Sequence, residues 1–318
     1  MIRYGILSTA SIVPRFVAAL NDSGTGTAAA IASRNLEAAK QAAEQLGIPK
    51  AYGSYDELFQ DPEIDAVYVA MINSLHYEYA KKALEAEKHV IVEKPMTLHV
   101  KEAEELFRLA KEKNLFITEA QKSVFLPVYQ DILQFLKEGK LGTVHMMDFS
   151  SSCAATYNGW LHSAEAGGGA LFGNAGYSLS LARMLGGELS EVTGLATFGN
   201  SQVEEQCVLN MNIGGKILGV SRISTNVLAE NGLVIWGDNG SIRVPDYWKA
   251  RTAYVTLNNG ETLTFDHPCA HELVYEVEHF NSCIAQGLTE SIVTSCQITT
   301  EIVRIMESLS ETWRNRLW

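Results

Sequence analysis

The chain has little cysteine. Five residues, Cys153, Cys207, Cys269, Cys283 and Cys296, are scattered through 318 positions, and none forms a CxxC pair. An odd, dispersed set argues against a disulfide framework and fits reduced thiols in a cytosolic protein. It marks no catalytic nucleophile either, since buried cysteine usually behaves as a small apolar side chain. Basic residues are also scarce: 25 Lys and Arg stand against 37 Asp and Glu, a formal net charge of −12. Phosphate binding along a nucleic acid needs surplus cations, so this balance argues against such a partner. No apolar run nears the ~20 residues that cross a bilayer. The opening "MIRYGIL" enters a strand with no basic n-region or cleavage site. These absences predict a cytoplasmic soluble protein with no membrane partner.

Several catalytic signatures are missing too. There is no HExxH, and His267, His271 and His279 have no matching acid cluster, so no metal site is predicted. A GxSxG nucleophile elbow is absent. "EAGGGAL" lacks the lysine of a P-loop and reads as a flexible turn.

What the chain does contain is ordinary core material: 47% hydrophobic and 19% charged residues. This length predicts two domains or one large one. Short apolar stretches at 2–8, 27–33, 65–71, 89–93 and 115–119 are rich in β-branched residues and read as strands. Between them, 35–47, 73–87 and 99–113 carry apolar residues at helical spacing. Asn35 and Asn73 are expected N-caps, and Gly47 ends its helix. This alternation predicts an α/β parallel sheet with helices on both faces. After about Phe125 the pattern changes. A helix (127–139), a strand (143–153), a glycine-rich turn and a second helix (169–187) precede a run of strands between 191 and 265. Turns such as "NIGGK" and "GDNG" suit hairpins, and two helices, 271–286 and 295–315, follow. The second half therefore reads as α+β with a mostly antiparallel sheet.

Four places can carry chemistry. "GILSTASIV" (5–13) sits where a dinucleotide fold has GxGxxG, with Ser8, Ala10 and Val13 at the glycine places. Small residues still let a pyrophosphate approach the helix start, and the hydroxyls of Ser8 and Thr9 offer donors. The same stretch suits an ordinary βα turn, and local sequence does not choose. The second strand ends in Ser33 and Arg34 instead of an acid, which favours a 2′-phosphate over a ribose hydroxyl, hence NADP over NAD. A solvated Arg is the plain alternative. Asn73 and His76 follow the next strand, where ligands gather in such sheets; a cap and a surface His would look alike. Lastly, "HVIVEKP" delivers Glu93 and Lys94 to a strand end and fixes the turn with Pro95. A lysine there can stabilise developing alkoxide charge, or form a surface ion pair.

Taken in order, GILSTASI, ASRN, INSLHYEYAKKALEAEKHVIVEKP, ITEAQ and GGGALFGNAGYSLSLARMLGG resemble the Gfo/Idh/MocA oxidoreductases, across essentially the whole chain. "GILSTA" and "ASR" are similar to the branch with dimeric dihydrodiol dehydrogenase and NADP-dependent xylose dehydrogenase. The resemblance implies an N-terminal Rossmann dinucleotide-binding domain, 1–122. It implies a substrate-binding and dimerisation domain at 123–318, α+β with a large open sheet, and a homodimer. The cofactor implied is NADP, with NAD as the other choice, and the substrate a small carbohydrate-like molecule: a sugar, polyol or other secondary alcohol or ketone. Ser8, Thr9, Ala10, Ile12, Ser33, Arg34, Asn73, His76, Glu93 and Lys94 then hold the cofactor. Lys94 and Tyr177 carry catalysis, Tyr177 as the proton-exchanging group; its phenol, ordinarily titrating near ~10, would be lowered by nearby Lys94. Lys122, Trp160, Asn174 and Tyr177 line the substrate pocket, with His162 and Gln121 beside them. One departure stands out: Gly173 replaces the family's Asp four positions before Tyr177. That keeps a second reading open, a dinucleotide-binding sensor without turnover. A third, NAD-assisted glycoside cleavage, is disfavoured by Arg34. "EEQ" (204–206) reads as a solvated strand edge.

Overall fold

The computed structural model describes residues 1–154 and 159–315. It divides into two units, one of residues 1–120 with 271–303, the other of 121–270 with 304–318.

The first unit begins with β1 (Ile2–Leu7), α1 (Val13–Ser23), β2 (Gly26–Ala32), α2 (Leu36–Leu46), β3 (Lys50–Tyr52), α3 (Tyr55–Phe59) and β4 (Ala66–Val69). It continues through α4 (His76–Glu85), β5 (His89–Glu93), α5 (Val100–Lys113) and β6 (Ile117–Ala120). All its strand pairs are parallel, in the order β3-β2-β1-β4-β5-β6. Val90, Ile91 and Val92 are fully buried in β5, as a strand covered on both faces requires. Full burial of each such side chain contributes roughly 1.5–3 kcal/mol. The strand order reverses between β1 and β4, and the crevice beyond their carboxyl ends is where such sheets bind ligands.

Helix α1 follows the β1 turn as a βα unit requires, and Val13, Phe16, Val17 and Leu20 form its buried stripe. The β3 and α3 segments are too short to show a period. Asn35 caps α2 as expected, accepting from Glu37 and Ala38 N–H at 3.0 and 3.2 Å, a contribution of about 1 kcal/mol. Gly47 ends that helix at φ 67°. Asn73 is not the cap of α4: it opens a 3-10 turn, Asn73–Leu75, and α4 starts at His76 behind Leu75 with no side-chain cap.

The second unit holds α6 (Pro127–Lys137), β7 (Val144–Ser152), α7 (Gly176–Gly186), β8 (Leu189–Phe198), β9 (Glu204–Ile213) and β10 (Ile217–Ser224). It ends its sheet with β11 (Gly232–Gly237), β12 (Gly240–Pro245), β13 (Thr252–Leu257) and β14 (Thr262–Asp266). These eight strands run β14-β13-β12-β11-β7-β10-β9-β8, antiparallel throughout except for β7 against β10. Alternation sorts the faces. Met147, Phe149, Leu209, Met211, Leu233 and Ile235 are buried, whereas Met146, Leu218, Trp236 and Tyr254 are exposed.

Helix α8 (Val274–Ala285) belongs to the first unit rather than to the remainder of the second half. Tyr4 in β1 donates to Asn281 Oδ1 at 2.6 Å, and Phe280 lies 6.4 Å from Phe116 between ring centroids. Apolar spacing announces a helix but not which sheet it covers, so the expected 123–318 block could not be subdivided. The closing helix α9 (Cys296–Arg314) follows. No helix among the described residues is long and apolar enough to cross a membrane.

Candidate active site

At the β1–α1 loop, Ser8 adopts φ 79°, a conformation that normally favours glycine. Its hydroxyl fixes the loop: it donates to the Ala70 carbonyl beyond β4 and accepts from Ala10 N–H at 3.2 Å. Ser8 therefore shapes the turn, and its hydroxyl proton is already used within the protein. The backbone N–H groups of Thr9, Ser11 and Ile12 have no acceptor among the described residues. They sit at the N-terminus of α1, which has no side-chain cap. Such a donor cluster at a helix start suits a pyrophosphate. After β2, Ser33 Oγ accepts from Asn35 N–H at 3.3 Å. Arg34 is exposed, and no carboxylate pairs with it among the described residues. A guanidinium at this strand end, where an acid would select a ribose hydroxyl, suits a 2′-phosphate. The residues present fit a phosphorylated dinucleotide.

The end of β5 is tightly built. Glu93 Oε1 accepts from the Tyr68 phenol at 2.5 Å, and its Oε2 from Lys94 N–H at 3.2 Å. Tyr68 is in turn stacked on Phe16 of α1, centroids 3.7 Å apart, so the core of α1 fixes Glu93. The Lys94–Pro95 peptide is cis. His76 is fully buried, with Nδ1 2.7 Å from the Pro95 carbonyl and Nε2 3.0 Å from the Met71 carbonyl. Burial lowers its pKa, opposed by those two carbonyls. A neutral imidazole carries one N–H, so it donates to one carbonyl at a time. His76 thus braces the Lys94 turn from within, neither a surface residue nor one open to a crevice. Asn73 is buried close by in sequence, and Lys94 is half-buried.

In the second unit, a buried Lys122 opens the 3-10 turn Lys122–Phe125 and places Nζ 6.0 Å from the centre of the Tyr177 ring. Tyr177, 9% exposed, is the second residue of α7, just after a π-helical turn at Leu171–Ala175. Single π turns often mark functional sites. Upstream, Gly168 could not bear a side chain: its Cβ would lie 2.5 Å from the Trp160 and Leu161 carbonyls. That packing seats the glycine turn on the Trp160–His162 turn, whose Trp160 is half-exposed and His162 buried. Asn174 is half-buried in the π turn. At Gly173 a Cβ would meet Leu161 Cδ1 at 2.4 Å. An apolar methyl occupies the place beside this position.

Glu204 corrects a sequence expectation. It is 2% exposed, not a solvated edge. Its carboxylate lies where a Cβ on Gly169 would fall, at 2.7 Å, and burial pushes its pKa up to about 7. The three histidines weighed as ligands have other partners: His267 with Asp131, His271 with Asp22, and His279 with the Ser291 hydroxyl.

The sequence offered no sign of Glu119 or Tyr68. Tyr68 looked like one more strand residue, and Glu119 like the polar end of "LFITE". Only the sheet register, which pairs Glu119 with Val92, brings it beside the β5 turn.

Relatives decide the lineage. The family described as "Oxidoreductase family, NAD-binding Rossmann fold" matches residues 2–121, and the GFO/IDH/MocA C-terminal domain matches 129–243. A trans-1,2-dihydrobenzene-1,2-diol dehydrogenase of Xenopus tropicalis is 32% identical over 319 residues, 96% of this chain and 96% of its own. The chain belongs to the Gfo/Idh/MocA oxidoreductases. The Xenopus laevis counterpart is 31% identical over 97% of each chain. Among solved structures, KijD10, a 3-ketoreductase from Actinomadura kijaniata in complex with NADP and TDP-benzene, superposes with TM-score 0.90 at 22% identity. It covers 98% of this chain and 97% of its own. Levoglucosan dehydrogenase in complex with NADH and levoglucosan gives 0.88 at 21%, covering 99% and 97%. At those identities the likeness establishes the fold. Membership makes the first unit an NAD(P)-binding Rossmann domain and the protein an oxidoreductase, as the motifs implied.

Proposed function

We propose that this oxidoreductase uses NADP to interconvert a secondary alcohol and a ketone in a small sugar, polyol or cyclic diol. The observation that carries the reading is the Lys94 turn: a lysine at the carboxyl end of an interior parallel strand, its backbone held by Glu93 and the next residue, Pro95, by His76. Bound nicotinamide supplies or accepts the hydride. Lys94 donates to the substrate oxygen and stabilises charge developing there. Tyr177 gives that oxygen a proton in reduction and takes it back in oxidation. Lys122, its ammonium 6.0 Å from the ring centre, sets a positive charge beside Tyr177.

In this reading the backbone N–H groups of Thr9, Ser11 and Ile12, in the loop that Ser8 holds through Ala10 N–H, receive the pyrophosphate. Ser33 and Arg34 receive the 2′-phosphate, Asn73 and Glu93 position the cofactor, and His76 braces the turn. Trp160 and Asn174 line the substrate pocket. The relatives that act on a dihydrobenzenediol and on levoglucosan support a cyclic substrate carrying vicinal hydroxyls. The exposed apolar residues Met146, Leu218, Trp236 and Tyr254 on one sheet face support a homodimer. Sedimentation should give twice the mass of one chain, and a monomer at micromolar concentration would contradict that.

The activity is tested by following absorbance at 340 nm with NADP or NADPH. The panel is trans-1,2-dihydrobenzene-1,2-diol, levoglucosan, aldopentoses and α-diketones. Turnover of at least one substrate, faster with NADP than NAD, is expected. Unchanged absorbance throughout, with NADPH binding demonstrated, would instead favour a sensor.

A further inference from the structure

Glu119 is a carboxyl group with no evident reason to be ionisable where it sits. It is 3% exposed near the end of β6, opposite Val92 of β5, and its Oε1 accepts from Met96 N–H at 2.9 Å. No Lys or Arg forms an ion pair with it among the described residues. An amide oxygen would satisfy Met96 equally well without the desolvation penalty of a buried charge. What a carboxylate adds is negative charge, which interacts electrostatically with Lys94. The turn from Lys94 to Met96 is gripped at two consecutive residues, Pro95 by the His76 ring and Met96 by Glu119.

We infer that Glu119 is a positioning residue for Lys94, holding the Lys94–Met96 turn through Met96 N–H and setting the charge that the Lys94 ammonium faces. The inference rests on the reading of Lys94 as the group that steadies the substrate oxygen. Burial pushes the Glu119 carboxyl up to about 7, with Lys94 pulling it down and Glu93 pushing it up. The other titratable group at the turn, His76, is held towards neutrality by its own burial. Glu119 therefore gains its charge across neutral pH while its hydrogen bond to Met96 persists. Lys94 should hold its proton more strongly above that transition than below it.

Competitive acetylation of the full-length protein, free of cofactor, tests this. Trace acetic anhydride is applied from pH 5 to 11, and labelling of the Lys94 peptide is read by mass spectrometry. In the natural protein the curve should bend near pH 7. Glu119→Gln, which keeps the acceptor, should abolish the bend and lower the apparent Lys94 pKa by about one unit. Glu119→Ala should also raise Lys94 labelling at every pH as the turn loosens. A Lys94 curve with no bend in the natural protein, or one unmoved by Glu119→Gln, would overturn the inference. No turnover is measured, so that failure would leave the role of Lys94 in hydride transfer to be decided by its own substitution.

Discussion

Replacing Lys94 by Ala is expected to lower kcat by roughly 10²–10³-fold, the loss seen when one preorganised donor to a developing oxyanion is removed. The ammonium works on charge that appears only as hydride transfers, so the loss should fall on kcat and kcat/KM together. NADPH affinity, read by quenching of protein fluorescence, should stay within about threefold, because removing a transition-state contact leaves ground-state binding intact. The turn itself should persist, since Glu93, His76 and Glu119 hold it through backbone groups. A Lys94→Ala protein as active as the natural one would remove Lys94 from the chemistry.

The second large effect concerns cofactor choice. Arg34→Ala should weaken NADP binding by roughly 10–100-fold and leave NAD almost untouched. Hydrogen bonds to a charged group contribute about 1.5–3 kcal/mol, and the guanidinium is exposed beyond β2 with no carboxylate paired to it among the described residues. Parallel titrations with NADPH and NADH at one ionic strength measure the ratio, because exposed charge contacts are screened by salt. Equal losses for both nucleotides would assign Arg34 to loop structure and withdraw the 2′-phosphate role.

How much of this was legible beforehand depended on where the information lies. Strand β5 and its ending at Glu93 and Lys94 could be read directly, because a fully apolar triplet bounded by charge and proline has few other solutions. The doubly wound sheet followed from alternation, and the second sheet from its run of short strands and glycine turns. For helix α1 the turn at "STASIV" marks a start but no extent, which rests on the buried stripe of Val13, Phe16, Val17 and Leu20. Asn73 looked like a cap because its residue type favours one; the chain instead spends three residues in a 3-10 turn before α4 begins. Burial of polar groups was the least legible feature. Glu119, Glu204 and His76 have the sequence signature of surface residues, and only long-range packing encloses them. The methyl of Leu161 beside Gly173 joins positions twelve residues apart through the seating of a glycine turn, which no local pattern encodes.

We propose that Lys94 and Tyr177 serve one hydride transfer. A double-mutant cycle measures this most directly: kcat/KM of the natural protein, Lys94→Ala, Tyr177→Phe and the double variant, followed at 340 nm with NADP and the best substrate of the panel. Groups that act as a unit are strongly non-additive, so the double variant should be within about tenfold of the worse single one. Losses that multiply fully, or a Tyr177→Phe protein with unchanged kcat/KM, would contradict the account.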